Sequence, residues 1–371
     1  MKKILFVLLA LSLFACKSSK KETQELEFGY QEKEIKPETY YSEDVTFTNE
    51  KENFTLAGTL TLPSHKGVFP AAVLISGSGA QNRNEEIMGH KPFLVLADHL
   101  TRNGIAVLRF DDRGVGESEG YKPEATTENF ADDVEAAVNY LLSRNEIDKT
   151  KTGLIGHSEG GIIAPMLAAK SDNIAFIVLL AGTGIQGKDL MLMQTALMAK
   201  AMGTSDSMIE RSTAVNKQLY ELICSIDDIK EREEKATEHI RQYLSKIPPA
   251  MKGGKTDEEL VSGLLKEINN PWIEYFLRYN PAPALEKVKC PVLALNGSKD
   301  LQVPSKVNLE AVKTALEKGG NKNFEVKELD GLNHLFQECK TGSPTEYATI
   351  KQTFSPVALN EISNWILDNV K

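Results

Sequence analysis

The sequence predicts an α/β protein whose mostly parallel sheet is covered by helices on both faces. Short, almost wholly apolar runs recur along the chain, and amphipathic helical patterns separate them. Strands that are buried on both faces read as continuous apolar runs, and parallel neighbours need a crossover, usually a helix, between them. A Gly-rich or polar turn follows the runs, so these turns should gather at the carboxyl edge of the sheet, where such sheets bind ligands.

Seven segments carry the strand pattern. Residues 54–62 alternate apolar and small polar side chains, as a half-buried strand does. The other six are the apolar runs at residues 71–76, 105–110, 152–157, 175–180, 291–295 and 324–329. The best helical pattern covers residues 127–145, where Phe130, Val134 and Leu141 fall on one stripe with a period of about 3.6 residues.

The spacing of these segments predicts one core with a helical insertion. Residues 43–182 and 282–371 form the core, and residues 183–281, which contain no convincing strand, form a helical cap above the strand ends. Flexible thioethers suit a pocket for varied apolar groups, although packing of the cap against the core is the favoured role for any single one of these methionines. The methionines in the first part of the cap are Met191, Met193, Met198, Met202 and Met208.

The N-terminus predicts export and attachment to lipid. Lys2 and Lys3 precede the apolar segment 4–15, which is too short to span a bilayer and fits a signal peptide over residues 1–15. Residues 13–16, Leu-Phe-Ala-Cys, resemble a bacterial lipobox, in which Cys16 would be lipidated. Residues 16–42 are rich in Lys, Glu, Gln and Ser and are interpreted as a tether. We therefore expect a lipid-anchored protein of the cell envelope, periplasmic or surface-facing; the alternative is an ordinary signal peptide with an unrelated cysteine.

Charge and cysteine content restrict the partners. The formal net charge of −9 argues against nucleic acid, which binds basic surfaces. Cys224, Cys290 and Cys339 remain if Cys16 carries lipid, so at least one thiol stays free. Their spacing suggests no metal site, and neither a metal nor an organic cofactor is expected.

A nucleophile motif follows the run at residues 152–157. Residues 156–160, Gly-His-Ser-Glu-Gly, fit G-x-S-x-G, in which a strand turns sharply into a helix and lifts the serine hydroxyl clear of the sheet. Apolar residues precede the motif, and a small-residue helical pattern at residues 161–169 follows it. Ser158 is therefore the candidate nucleophile.

The serine needs a base, and the base needs an acid. His334 is the last of six histidines and follows the run at residues 324–329, which puts it at the catalytic edge. His157 would point away from Ser158, and the other histidines favour surface or packing roles. Asp300, in the turn after residues 291–295, is the candidate acid; Asp330 is the second choice, because it lies only four residues before His334.

The tetrahedral intermediate needs hydrogen-bond donors for its oxyanion. The backbone N–H of Glu159, directly after the nucleophile, is one candidate donor, and the N–H of Ser78, in the turn at residues 76–79, is the other. The polar segment 111–118, Asp-Asp-Arg-Gly-Val-Gly-Glu-Ser, invites a catalytic interpretation, but an Arg–carboxylate pair that fixes a loop explains it better.

Together these motifs resemble the bacterial α/β-hydrolase carboxylesterases, relatives of the serine aminopeptidase and dienelactone-hydrolase-like groups. The resemblance covers residues 45–371 and rests on residues 76–79, 111–118, 156–160, 297–304 and 331–334. It implies an α/β-hydrolase fold with Ser158 as nucleophile, Asp300 as acid and His334 as base. The family commonly has His where this chain has Ser76.

The expected activity is hydrolysis of carboxylic esters with a small to medium apolar part, through an acyl-enzyme on Ser158. The first alternative is a peptidase on short peptides, which would need carboxylates such as Glu258, Glu259 or Glu274 to hold the substrate's amine. A thioesterase is a further enzymatic option. From another class, the chain could be a lipid-anchored, non-catalytic binding module.

Overall fold

The computed structural model describes residues 39–249 and 252–370. The predicted signal peptide, Cys16 and the tether up to residue 38 lie outside these residues. The described chain folds into two compact units. The first consists of residues 39–123, 127–185 and 281–370, and the second of residues 124–126 and 186–280. None of the helices in residues 39–249 and 252–370 has the length and apolar character that a membrane span requires.

The first unit contains one eight-stranded sheet with the order β1-β2-β4-β3-β5-β6-β7-β8. β1 pairs with β2 and β2 with β4 in antiparallel fashion, whereas all later neighbours are parallel. The strands are β1 (Tyr41–Asn49), β2 (Phe54–Leu62), β3 (Phe69–Ile75), β4 (Ala106–Phe110), β5 (Ile147–His157), β6 (Ile177–Leu180), β7 (Val292–Gly297) and β8 (Phe324–Leu329).

Helices cover the sheet because its central strands are buried on both faces. Every residue of β4, β6 and β7 is buried. The helices of this unit are α1 (Pro92–Arg102), α2 (Thr127–Ser143), α3 (Gly160–Ala168), α9 (Ala282–Leu285), α10 (Ser305–Lys318) and α11 (Pro356–Asn369), with a 3₁₀ helix at Pro344–Thr349. Leu96 and Leu100 of α1 join Trp365 and Ile366 of α11 in a core cluster that includes Val178 of β6.

The second unit is helical within its described residues. Its helices are α4 (Gly187–Ala201), α5 (Asp206–Ser225), α6 (Ile229–Leu244), α7 (Asp257–Ile268) and α8 (Pro271–Arg278). Of its methionines, Met191 and Met198 are buried, whereas Met193 and Met202 are exposed. Residues 183–281 were expected to be helical, and these elements agree with that. That they form a cap above the strand ends stays a prediction.

The predicted sheet matches the observed one closely, with one strand missed. All seven segments with the strand pattern overlap a strand, and two of them, Phe54–Leu62 and Phe324–Leu329, agree at both ends. The unpredicted strand is β1, which begins at Tyr41, inside the segment assigned to the tether. Its outward side chains are polar and only Val45, Phe47 and Asn49 are buried, so the alternating pattern of a strand is confined to its second half.

Candidate active site

The nucleophile motif forms a strand–turn–helix at the carboxyl end of β5. Ser158 has a backbone φ of 52°, a left-handed conformation that is uncommon for a residue with a side chain. A side chain at position 156 would put its Cβ 2.0 Å from the carbonyl oxygen of Gly160, and one at position 160 would approach the carbonyl oxygen of Ile75 to 2.3 Å. The two glycines of the motif are therefore required by close backbone approach, and the resulting turn holds Ser158 between β5 and α3.

Asp300 and His334 meet at the same edge of the sheet. Asp300 lies in the turn after β7 and His334 in the turn after β8, and Asp300 Oδ2 is 2.8 Å from His334 Nδ1. Both side chains are buried. The second oxygen of Asp300 accepts from the backbone N–H groups of Gln302 and Val303 at 2.8 and 2.9 Å, which fixes the carboxylate.

The structure separates the two candidate acids. Asp330 accepts a hydrogen bond from the hydroxyl of Ser298 at 3.0 Å and shapes the exposed turn before His334. Its role in that turn is the one that its position in the sequence favoured. Ser158, by contrast, makes no hydrogen bond with His334 among the described residues. Apo active sites often hold such contacts loosely.

The turn at residues 76–79, which we call the oxyanion loop, follows β3. Ser76 Oγ donates to Asp112 Oδ1 at 2.8 Å, and Gly77 N–H donates to Glu85 Oε1 at 2.7 Å. The N–H of Ser78 finds no acceptor within the described part of the chain. A Cβ at position 77 would lie 3.1 Å from Cβ of Ser158, so this loop runs directly beside the candidate nucleophile.

Asp112 anchors the oxyanion loop from the turn after β4. Besides Ser76, its carboxylate accepts from the backbone N–H of Gln81 at 2.9 Å. Burial raises the pKa of Asp112 to about 8 because its hydrogen bonds only partly offset the desolvation, and the charges of Glu159 and Glu85 raise it further. Burial therefore favours the protonated form of Asp112.

The polar segment 111–118 ties surrounding loops together. Arg113 forms a buried ion pair with Asp133 of α2, with Nε 2.7 Å from Oδ2. Asp111 accepts from Arg83 Nη2 at 2.7 Å. The structural interpretation of this segment therefore describes its contacts well, although Asp111 and Arg113 pair with other segments rather than with each other.

The carboxylates proposed for a peptidase already have partners within the helical unit. Glu259 closes a capping box with Thr256 at the start of α7. Glu274 contacts Arg232 at 2.8 Å and Arg278 at 3.1 Å, and the exposed Glu258 contacts Arg241 at 3.1 Å. These contacts account for each of the three as a structural charge.

A second buried acid–histidine contact, which no sequence motif indicates, lies next to the candidate site. His157 Nδ1 lies 2.8 Å from Glu85 Oε1, and its Nε2 lies 2.9 Å from the carbonyl oxygen of His334. The sequence prediction that His157 points away from Ser158 left its partners unknown. Glu85 was not predicted because it is 72 residues away in the chain and its loop carries no recognisable motif.

The remaining histidines contact groups that do not belong to the candidate site. These contacts are His65 with the ring of Tyr41, His90 with Thr353 and the carbonyl of Tyr347, His99 with Ser363, and His239 with the carbonyl of Val215. The contacts of these four histidines are consistent with the packing and surface roles expected for them.

Comparison with known proteins gives both family and fold. A family model described as "Serine aminopeptidase, S33" matches residues 91–338. Esterase EstD of Thermotoga maritima is 25% identical over 335 residues, which cover 90% of this chain and 69% of that protein. An esterase structure from Pyrococcus furiosus superposes with a TM-score of 0.52 at 18% identity, covering 90% of this chain and 93% of that one. The α/β hydrolase GrgF of Penicillium sp. sh18 superposes with a TM-score of 0.51 at 18% identity, covering 89% and 98%. The predicted α/β-hydrolase fold is confirmed.

Proposed function

This chain belongs to the serine aminopeptidase, S33, family of α/β hydrolases, and on that premise we propose that it hydrolyses carboxylic esters through an acyl-enzyme on Ser158. The observation that carries the proposal is the buried contact of 2.8 Å between His334 and Asp300 at the sheet edge that also holds the Ser158 turn. An acid that is buried and fixed by backbone N–H groups holds the imidazole tautomer that a general base needs.

The first half of the reaction acylates the serine. The unprotonated Nε2 of His334 takes the hydroxyl proton as Ser158 Oγ forms a bond to the ester carbonyl carbon. The carbonyl π electrons move to oxygen, and the N–H groups of Ser78 and Glu159 donate to the oxyanion. When the intermediate collapses, His334 gives its proton to the departing alkoxide, and an alcohol leaves.

The second half releases the acid. A water molecule loses a proton to His334 Nε2 as its oxygen bonds to the acyl carbon, and the second oxyanion uses the same two donors. Collapse breaks the bond to Ser158 Oγ, which recovers the proton from His334. Asp300 remains ionised throughout and stabilises the imidazolium that forms in both halves.

Esters are favoured over peptides by two observations. Glu258, Glu259 and Glu274 are engaged by Arg241, Thr256 and the pair Arg232 and Arg278 respectively, so none of them stands ready for a substrate's amine. The relative EstD carries the name of an esterase. A small to medium apolar acyl or alcohol part stays our expectation for the substrate.

The test compares Ser158→Ala with the wild type on p-nitrophenyl acetate, butyrate and octanoate. We expect turnover to fall to the background of the buffer, since the nucleophile is removed. Thr150→Ala, in the exposed part of β5, is the matched control and should leave turnover unchanged. Undiminished hydrolysis by Ser158→Ala would contradict the assignment.

Two further measurements separate the alternatives. Faster turnover of aminoacyl p-nitroanilides than of the simple esters would favour a peptidase. A fluorophosphonate probe reacts readily only with an activated serine, so absence of labelling at Ser158 would favour a non-catalytic binding module.

For localisation we propose export and lipid attachment at Cys16. The basis is the sequence alone, namely Lys2 and Lys3, the apolar segment 4–15 and the lipobox-like residues 13–16. Metabolic labelling with an alkynyl fatty acid should tag the wild-type chain but not Cys16→Ser. Equal labelling of both would contradict the proposal.

A further inference from the structure

Glu85 and His157 form a buried contact directly behind the Ser158 turn. Glu85 lies in the loop after β3 and His157 is the last residue of β5. Glu85 Oε1 is 2.8 Å from His157 Nδ1, and both residues are at most 6% exposed. Polar groups buried to this degree persist only when they are hydrogen-bonded, and this pair satisfies each other.

The hydrogen positions on His157 follow from its partners. His157 Nε2 is 2.9 Å from the carbonyl oxygen of His334, and a carbonyl oxygen only accepts, so Nε2 carries a hydrogen. Burial by itself lowers the pKa of His157, but the charge and hydrogen bond of Glu85 outweigh it, so the pKa is raised above its usual value. Nε2 of His157 therefore donates to the carbonyl oxygen of His334, and the second hydrogen bond of the ring joins Nδ1 to Glu85 Oε1.

Each partner of this pair also reaches a segment of the candidate site. Glu85 Oε1 accepts from Gly77 N–H at 2.7 Å, and Gly77 precedes Ser78, whose N–H is the candidate oxyanion donor. On the other side, His157 holds the backbone of His334, and the two imidazole rings lie 4.7 Å apart between centroids. One continuous series of hydrogen bonds therefore runs from the oxyanion loop through Glu85 and His157 to the backbone of the proposed base.

We propose that Glu85 and His157 are positioning residues that hold the oxyanion loop and the His334 loop in register on either side of Ser158. The inference rests on the proposed function, because it assigns the pair to that reaction. The pair touches no reacting atom. It sets where Ser78 N–H and His334 Nε2 stand when negative charge develops on the substrate oxygen, and donors placed in advance stabilise that charge without reorganisation.

The pair is surrounded by groups of the candidate site, and two substitutions alter its hydrogen bonds with little change of shape. Asp300 acts on His157 with the same sign as Glu85, and His334 is the neighbouring imidazole. Glu85→Gln keeps the shape of the side chain but removes the carboxylate. His157→Gln keeps one donor but cannot bridge from Glu85 to His334 as the two ring nitrogens do.

The experiment measures kcat and KM on p-nitrophenyl butyrate for the wild type, Ser158→Ala, Glu85→Gln, His157→Gln and the double variant Glu85→Gln/His157→Gln. We expect kcat to fall about 10- to 100-fold in each single variant, less than the loss of a whole oxyanion donor costs. KM should change less than about threefold, since interactions made only in the transition state do not alter ground-state binding. The double variant should lose no more than the worse single variant, because the two residues act as one unit.

Glu86→Gln is the matched control, since Glu86 is the exposed neighbour of Glu85 and its carboxylate lies 3.8 Å from Lys91 Nζ, whereas its backbone N–H, which the substitution keeps, donates to Asn82. It should keep the kcat of the wild type. Circular dichroism and thermal melts establish that each variant is folded at the assay temperature.

Each other outcome overturns the inference. An unchanged kcat in either single variant, parallel changes in kcat and KM, or additive losses in the double variant would show that the pair does not position the site. Failure of both variants to fold would assign the pair to stability instead. If Ser158→Ala were as active as the wild type, the proposed function would fail first, so the two failures are distinguishable.

Discussion

Asp132 and Asp133 are neighbours on α2 that hold ion pairs in opposite surroundings, and their replacement by Asn tests how burial changes the value of a charge pair. Asp133 and Arg113 are each 2% exposed at the side chain, and Arg113 donates to both carboxylate oxygens, at 2.7 and 2.9 Å. Asn49 adds a third donor at 2.7 Å. Asp133→Asn leaves a buried guanidinium without its main counter-charge.

Removing one partner of a buried pair costs about 3–5 kcal/mol. We expect the lower end, about 3 kcal/mol, because Arg113 keeps Glu52 at 3.0 Å and the carbonyl of Asn129 at 2.8 Å. The measurement is the free energy of unfolding in urea at pH 7, followed by far-UV circular dichroism, with the slope of the transition compared between variants.

The control is Asp132→Asn. Its partner Lys51 is 56% exposed and Asp132 itself 25%, and exposed pairs contribute about 0–1 kcal/mol. A second variant, Arg113→Met with Asp133→Leu, should recover most of the lost stability, because no uncompensated charge remains. Equal costs for Asp132→Asn and Asp133→Asn would refute the reasoning.

Four further substitutions test the site, its supports and one helix of the second unit. Burial raises the pKa of Asp112 to about 8, whereas an Asp in the unfolded chain releases its proton above about pH 4. Between about pH 4 and 8 the folded chain therefore holds one more proton than the unfolded chain. The wild-type free energy of unfolding should fall over this range by up to about 1.4 kcal/mol per pH unit. Asp112→Asn should remove that contribution, and parallel curves of stability against pH for the two proteins would contradict it. Asp300→Asn should lower kcat on p-nitrophenyl butyrate about 10⁴-fold while the melt stays near that of the wild type; a loss below tenfold would point to another acid. Gly156→Ala should lower the free energy of unfolding by about 1–3 kcal/mol, because the new Cβ would meet a backbone oxygen at 2.0 Å. Gly263→Ala in α7, where a Cβ meets nothing within 4 Å, should raise it by about 0.5–1 kcal/mol. Similar unfolding midpoints of the two variants in urea would contradict this.

The sheet and its catalytic edge were predictable because their signals are local. A buried parallel strand is apolar throughout, and the turn after it concentrates glycine and polar residues, so the chain order of Ser158, Asp300 and His334 could be read directly. The choice of Asp300 over Asp330 also used only position, and the structure brings Asp300 to His334.

The parts that sequence reasoning missed depend on distant pairing. β1 is a strand because its backbone pairs with β2, whereas its first four residues, Tyr-Ser-Glu-Asp, carry no alternating apolar pattern. Glu85 acquires its role from contacts with Gly77 and His157, which only the folded sheet brings together. No local period or motif encodes such contacts.

The direct pairing of β6 with β7 has a consequence for how such a chain can diversify. Leu180 and Leu295 face each other in the sheet, although the helical unit lies between them in the chain. Closing a loop of about 110 residues costs only about 2 kcal/mol more than closing one of about ten, and doubling its length adds about 0.6 kcal/mol. The segment between these strands can therefore be lengthened, shortened or exchanged over evolutionary time at little thermodynamic cost, while the register that fixes Ser158, Asp300 and His334 is inherited unchanged.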